Sequence, residues 1–173
     1  KNTEGSAQRL SVTLTVEETQ HFLYDVSAVY HTQANDLLLA ALSAALGRWI
    51  GPGKVLIGLE GHGREAVDQQ LDLSRTIGWF TTFYPILLPI AIVTNYGDHI
   101  KTVKEHLRQV PNKGLGYGIA RYLGDDPAIA DHLKNCQPEV LFNYLGQFGQ
   151  MMARNSEFKI LPIQLDGMRY GDN

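Results

Sequence analysis

A long apolar helix pattern that stops at a glycine-proline break, followed at once by a short apolar run, leaves this chain few ways to fold. From about Asn35 to Ile50, Leu37, Leu38, Ala41, Leu42, Ala45 and Leu46 recur at helical spacing, and Gly51-Pro52 ends the pattern. The apolar face is wide, which marks a helix buried in a core rather than one lying on a surface. The run that follows, from Lys54 to Glu60, is bounded by turn signals and reads as a buried strand that ends on a carboxylate. A helix must therefore pack on a sheet, and Glu60 stands at a strand terminus, where side chains meet solvent or ligand.

Other segments extend this pattern. Leu10, Val12 and Leu14 alternate with polar residues as a half-buried strand would, and Thr15 followed by Glu18 reads as a capping box that starts a helix near Val16. Trp79 to Val93 is a strand region, and Pro85 and Pro89 argue for breaks or an edge position within it. The spacing of Ile100, Val103 and Leu107 predicts a helix from His99 to Val110, with Asp98 as cap and Pro111 as stop. A short helix follows from Pro127 to Lys134. Strands are expected over Glu139 to Leu145 and, more weakly, Phe158 to Ile163. This irregular order lacks the rhythm of a doubly wound sheet, so the expected class is α/β in the broad sense: a mixed sheet with helices packed on it.

The chain has 173 residues, 44% of them hydrophobic, enough for one compact core, so one folding unit is expected. With 19% charged residues and a formal net charge of -3, nothing in the balance points to nucleic acid or an anionic membrane. The lone Cys136 excludes an internal disulfide and fits a reducing, cytoplasmic setting. The longest strongly apolar stretch, Ile86 to Val93, is too short to span a bilayer, and no secretory signal is visible, so a soluble protein is expected.

The segment richest in chemistry is Glu60-Gly61-His62-Gly63-Arg64-Glu65, whose glycines let the backbone bring Glu60, His62 and Arg64 close to a ligand. Acid-base work is one reading. A solvated loop with internal charge pairing is the commoner one. A metal site is disfavoured, because His62 and Glu65 find no third ligand nearby. Arg75 precedes Gly78-Trp79-Phe80-Thr81-Thr82-Phe83-Tyr84-Pro85, which suits either the wall of a substrate tunnel or, as the more ordinary alternative, core anchoring by Trp79 and Phe80 with Arg75 paired to an acid. Gly114-Leu115-Gly116-Tyr117-Gly118 follows a helix rather than a strand, which argues for a hinge or packing turn over a dinucleotide loop. Asn143 and Tyr144 are adjacent on an expected strand and point to opposite faces, so one of them can enter a given cleft as an oxyanion donor. His132 and Cys136 lack an orienting third group for thiol catalysis.

Taken in order, Glu60 to Glu65, Arg75 to Pro85, Lys113 to Gly118 and Phe142 to Phe148 resemble the signature blocks of the epimerization domains of nonribosomal peptide synthetases. The related condensation domains are similar in fold, but usually carry an asparagine-containing block where this chain has Phe80-Thr81-Thr82, and typically lack the glutamate at position 60. The resemblance implies a two-lobed domain of the chloramphenicol acetyltransferase type with the active site in a tunnel between lobes, and residues 1–173 as its C-terminal lobe. The family's His-His-x-x-x-Asp-Gly segment belongs to the other lobe, and none of the six histidines here has a histidine neighbour. An isolated fragment is therefore expected to be inactive and to expose an apolar face.

By the same resemblance the substrate is an aminoacyl or peptidyl thioester on the phosphopantetheine arm of a carrier protein, and L and D forms interconvert by removal and return of the α-proton. Glu60 is then one member of the acid-base pair and a first-lobe histidine the other. Asn143, Tyr144 and Arg75 are candidates for orienting Glu60 or stabilising the enolate, and His62, Arg64 and Trp79 for shaping the loop or binding substrate. No bound cofactor or metal is implied. Implied partners are a peptidyl carrier domain, the N-terminal lobe and neighbouring synthetase domains. A noncatalytic carrier-docking lobe and a condensation-type acyltransferase lobe are the alternatives.

Overall fold

The computed structural model describes residues 3–64, 72–73 and 75–146. Contacts divide the chain into a unit from Lys1 to Asn143 and a second from Tyr144 to Asn173, of which residues 144–146 are described. The first unit is a small mixed sheet with helices packed over its core face. Among the described residues no helix is long and apolar enough to cross a membrane.

Thr15 opens the helical part as its pattern demands: its hydroxyl accepts the Glu18 N–H at 3.2 Å, and Glu18 accepts the Thr15 N–H at 2.8 Å. Helix α1 (Val16–Gln20) runs through a π-helical stretch, His21–Val26, into α2 (Ser27–Tyr30). His31 then turns left-handed at φ 50°. The carbonyls this leaves over are met from α4 (Tyr96–Arg108): Lys104 Nζ donates to the Tyr30 oxygen and Arg108 Nη2 to the His31 oxygen, each at 3.0 Å.

The long apolar helix is α3 (Ala34–Ile50), one residue longer at its start than its apolar pattern suggests. It lies close against the sheet for a local reason. A Cβ on Gly47 would come within 2.2 Å of the Ala91 carbonyl oxygen, and the fully buried Ser43 donates to the Pro89 carbonyl at 2.6 Å.

Strand β1 (Gly53–Gly61) is central, antiparallel to β2 (Thr82–Ile90) and parallel to β3 (Val140–Phe142), giving the order β2-β1-β3. The mixed sheet matches the expected class. Pro85 and Pro89 lie inside β2 instead of breaking it, which works because β2 is an edge strand and the two share one parity. A missing N–H there costs no ladder bond if it points away from β1. Ser43 on the Pro89 carbonyl, from outside the ladder, agrees with that orientation.

Alternation along each strand sorts the side chains into two faces. Val55, Ile57 and Leu59 on β1, Tyr84, Ile86, Leu88 and Ile90 on β2, and Val140 and Phe142 on β3 join Leu39, Ala40 and Leu46 of α3 and Val103 of α4 in one core. Full burial of a residue such as Ile57 contributes about 1.5–3 kcal/mol, so this face supplies most of the driving force for the unit. After α4, a 3-10 turn (Pro111–Gly114) leads to α5 (Leu115–Tyr122) and α6 (Pro127–Lys134) before the chain returns to β3.

Several expectations need correction. Leu10 and Val12 form no strand and are 90% and 85% exposed, because no neighbouring strand among the described residues pairs with them. The cap of α4 is Asn95, whose Oδ1 accepts the N–H groups of Gly97 and Asp98; Asp98 instead accepts from Asn95 Nδ2 at 2.8 Å. The glycine run after Lys113 is not a turn throughout. Gly114 alone is left-handed, at φ 79°, where a Cβ would strike the Tyr84 ring, and Gly116 and Gly118 continue into α5. The last expected strands differ too: β3 is shorter than Glu139 to Leu145, and Phe158 to Ile163 lies outside the described residues.

Candidate active site

The sheet face opposite the core is built by the same alternation. On β1 it carries Leu56, Gly58 and Glu60; paired across from them on β2 are Leu87, Pro85 and Phe83; on and just past β3 come Leu141 and Asn143. Among the described residues no helix covers it as the core face is covered, and Leu141 is 68% exposed. Gly58 has a steric purpose here, since a Cβ would lie 2.5 Å from the Phe83 ring and 2.8 Å from Leu141 Cδ2. Phe83 and Leu141 therefore close over the middle of β1 and form an apolar floor beside Glu60.

Glu60, half-buried at the end of β1, is held from β3. The parallel register that sets Leu59 against Phe142 brings Asn143 level with Glu60, and Asn143 Nδ2 donates to Glu60 Oε2 at 2.6 Å. These residues are 83 apart in sequence. An amide N–H cannot take up the proton that a carboxylate exchanges, so Asn143 fixes the carboxylate while leaving Oε1 for another partner. On the opposite flank, Phe83 meets Tyr117 of α5 edge-on at 6.2 Å between ring centres, and Tyr117 is itself fixed by donating to the Leu133 carbonyl at 3.1 Å. Arg121 donates to the Tyr117 hydroxyl at 3.2 Å and lies over the same ring.

Beyond Glu60 the chain turns at Gly63, left-handed at φ 65°, where a Cβ would fall 1.5 Å from the Phe80 carbonyl oxygen. Glycine is required there on both counts. Arg64 points back into the connection between β1 and β2. Its Nη1 donates to the Leu73 and Thr76 carbonyls at 2.6 and 2.7 Å, its Nη2 to the Gly78 carbonyl at 3.3 Å, and its Cζ lies 4.4 Å from the centre of the Phe80 ring. The Arg64 N–H donates to His62 Nδ1 at 3.0 Å.

The sequence-derived candidates thus separate into groups. Glu60 and Asn143 come together. His62 and Arg64 are engaged in organising the loop that follows them. Arg75 is exposed, and Trp79 is 91% exposed, which removes the reading of Trp79 as a core anchor; half-buried Phe80 is the ring that packs, under Arg64. Tyr144 belongs to the second unit, and Glu65 lies outside the described residues. Sequence reasoning assigned no site role to Gly58 or Leu141, and marked Phe83 only as part of a block that suits a tunnel wall. The one signal available was a glycine in the middle of an apolar strand, a common mark of close approach by a neighbour.

Comparison with known proteins bears on the same region. The family model described as Condensation domain matches residues 1–169. The chain is 46% identical over 144 residues to bacitracin synthase 3 of Bacillus licheniformis, covering 83% of this chain and 2% of that protein. It is 45% identical over 157 residues to surfactin synthase subunit 1 of Bacillus subtilis (strain 168), covering 87% of this chain and 4% of that protein. Among solved structures it is similar to the epimerization domain from the third module of tyrocidine synthetase B, with 43% identity and a TM-score of 0.72 over 82% of this chain and 32% of that one. The chain therefore spans a few per cent of the length of these curated relatives and about a third of that solved domain.

Proposed function

The chain belongs to the condensation-domain family of nonribosomal peptide synthetases, and from that premise we propose that it is the C-terminal lobe of an epimerization domain in which Glu60 exchanges the α-proton of a carrier-bound aminoacyl or peptidyl thioester. The observation that carries this reading is the 2.6 Å hydrogen bond from Asn143 to Glu60, beside an apolar floor on the sheet face that α3 and α4 do not cover. Similarity to the tyrocidine synthetase epimerization domain supports epimerization over peptide-bond formation.

Inversion at the α-carbon breaks one C–H bond and forms another on the opposite face. Glu60 Oε1 takes the proton, the C–H electron pair moves into the thioester carbonyl as an enolate, and a group on the far side returns a proton to carbon. The enolate oxygen needs a hydrogen-bond donor. Asn143 holds the carboxylate oxygen opposite to the one that reacts. Tyr144 and Arg75 are proposed as the groups that stabilise the enolate or orient the thioester, and Trp79, with His62, as substrate-side contacts. The second acid-base group is the histidine of the N-terminal lobe, and the phosphopantetheine arm of the carrier domain delivers the substrate.

The decisive experiment follows deuterium wash-in at the α-carbon of a carrier-bound aminoacyl thioester, in the synthetase that carries this chain. Glu60→Gln keeps the shape and the Asn143 contact but cannot exchange a proton, so exchange should fall by at least about 100-fold while the unfolding midpoint stays put. Exchange within a few-fold of the parent protein would overturn the assignment.

A further inference from the structure

Resting on the reading of Glu60 as the acid-base group, we propose that Arg64 is a positioning residue: a clamp on Leu73, Thr76, Gly78 and Phe80, ahead of β2, that keeps the strand ends flanking Glu60 aligned. Three backbone carbonyls of one short segment, those of Leu73, Thr76 and Gly78, converge on its guanidinium at 2.6, 2.7 and 3.3 Å. Phe80 covers the face of the group at 4.4 Å. Nη1 thus directs both of its N–H groups into the protein, and Nη2 directs one. A side chain engaged in this way turns inward to its own loop instead of toward a ligand.

The clamp sits where it can act on the site. Gly61, next to Glu60, ends β1 and pairs with Thr82, which opens β2 next to Phe83, the residue paired with Glu60; residues 62–63 and 80–81 continue directly from that pair. Gly63 packs so closely on the Phe80 carbonyl that a Cβ there would fall 1.5 Å from its oxygen, which brings these two arms together. Arg64, next to Gly63, ties the far part of the loop to that junction. The planar fork matters as much as the charge, because a single ammonium nitrogen cannot reach carbonyls spread from residue 73 to residue 78.

Two readouts on the synthetase that carries the chain test this, one independent of activity. In Arg64→Ala, amide hydrogen exchange over residues 75–80 should quicken at least about tenfold, and ethylguanidinium at millimolar concentration should restore protection by refilling the vacated place. In parallel, kcat for α-proton exchange should fall on the order of 10- to 100-fold with KM changed less than about twofold, and should recover with the same saturation by ethylguanidinium. Arg64→Lys, which keeps the charge and folds more conservatively, should remain impaired in both measurements. Unchanged amide exchange in Arg64→Ala removes the clamp. A raised KM with an unchanged kcat, rescued by Arg64→Lys, makes Arg64 a substrate contact and overturns positioning. Loss of amide protection with kcat intact also overturns it. If Glu60→Gln retained α-proton exchange, the assigned site would fall, and the amide-exchange result would still report on the clamp.

Discussion

The two faces of the three-stranded sheet are made by the same strands and differ in nearly everything else. On one, Ile57, Leu59, Ile86, Leu88 and Ile90 are packed under α3 and α4 and are almost wholly removed from solvent. On the other, Gly58, Glu60, Phe83, Leu141 and Asn143 stand free of the described helices that cover the core. The first face holds the unit together and leaves no room for chemistry. The second presents a carboxylate whose orientation is fixed from a neighbouring strand. A one-residue step along β1, from Ile57 to Gly58, moves from a fully buried side chain of the core to the floor of the candidate site, so the two faces are assigned by parity.

The largest expected effect tests that contrast directly. Ile57→Ala deletes a fully buried side chain between two strands and should lower unfolding free energy by about 2–5 kcal/mol in urea titration. Leu141→Ala, on the other face, should change it by less than about 0.5 kcal/mol. Comparable losses at both positions would mean that the open face is packed and that the division fails.

A smaller effect sharpens the picture at the one position where the open face is crowded. Gly58→Ala puts a methyl group 2.5 Å from the Phe83 ring and 2.8 Å from Leu141, and should cost about 1–3 kcal/mol by overpacking. Shortening Leu141 to Ala in the same chain makes space on one side. The double variant should therefore be more stable than Gly58→Ala alone by about 0.5 kcal/mol or more, a coupling that appears only between residues in contact. Strict additivity would separate Leu141 from Gly58.

What was legible in the sequence follows the range over which each interaction acts. The capping box of Thr15 and Glu18, the span of α3 and its stop at Gly51, and the strand that carries Glu60 all rest on neighbours within a few residues, and each stands within about a residue of where its local pattern puts it. Leu10, Val12 and Leu14 show the limit of alternation, which says which side chains share a face but not whether a partner strand exists to bury them. Pro85 and Pro89 did not break the strand, but the edge position they also argued for is where β2 lies, since proline forbids a donor and not a strand. The resemblance offered loop shaping as one role for Arg64, but its partners were beyond reach because they are backbone carbonyls, which carry no residue signature. The Asn143–Glu60 contact needed the β1–β3 register, and only the family resemblance placed the two in one site beforehand.

The helix start at Thr15 supplies the smallest effect and the purest case of local control, since α1 has no buried residue and owes nothing to either face of the sheet. The Glu18 carboxyl lies below its ordinary value of 4.5, chiefly because the Thr15 backbone N–H donates to it and secondarily because the Thr15 hydroxyl does. A carboxyl whose folded-state value is depressed stabilises the folded form above its unfolded value. That contribution is lost as pH falls through the lowered folded value. Helical order at Val16–Gln20 should accordingly decrease on acidification below about pH 4.5, with the Glu18 midpoint in a carboxyl-carbon NMR titration lying under that of an ordinary glutamate. Thr15→Ala removes the hydroxyl but keeps the backbone donor, so it should move the midpoint only part of the way back. A midpoint at or above the ordinary value in the parent chain would dissolve the cap, and with it the claim that this end of the molecule is organised without help from the sheet.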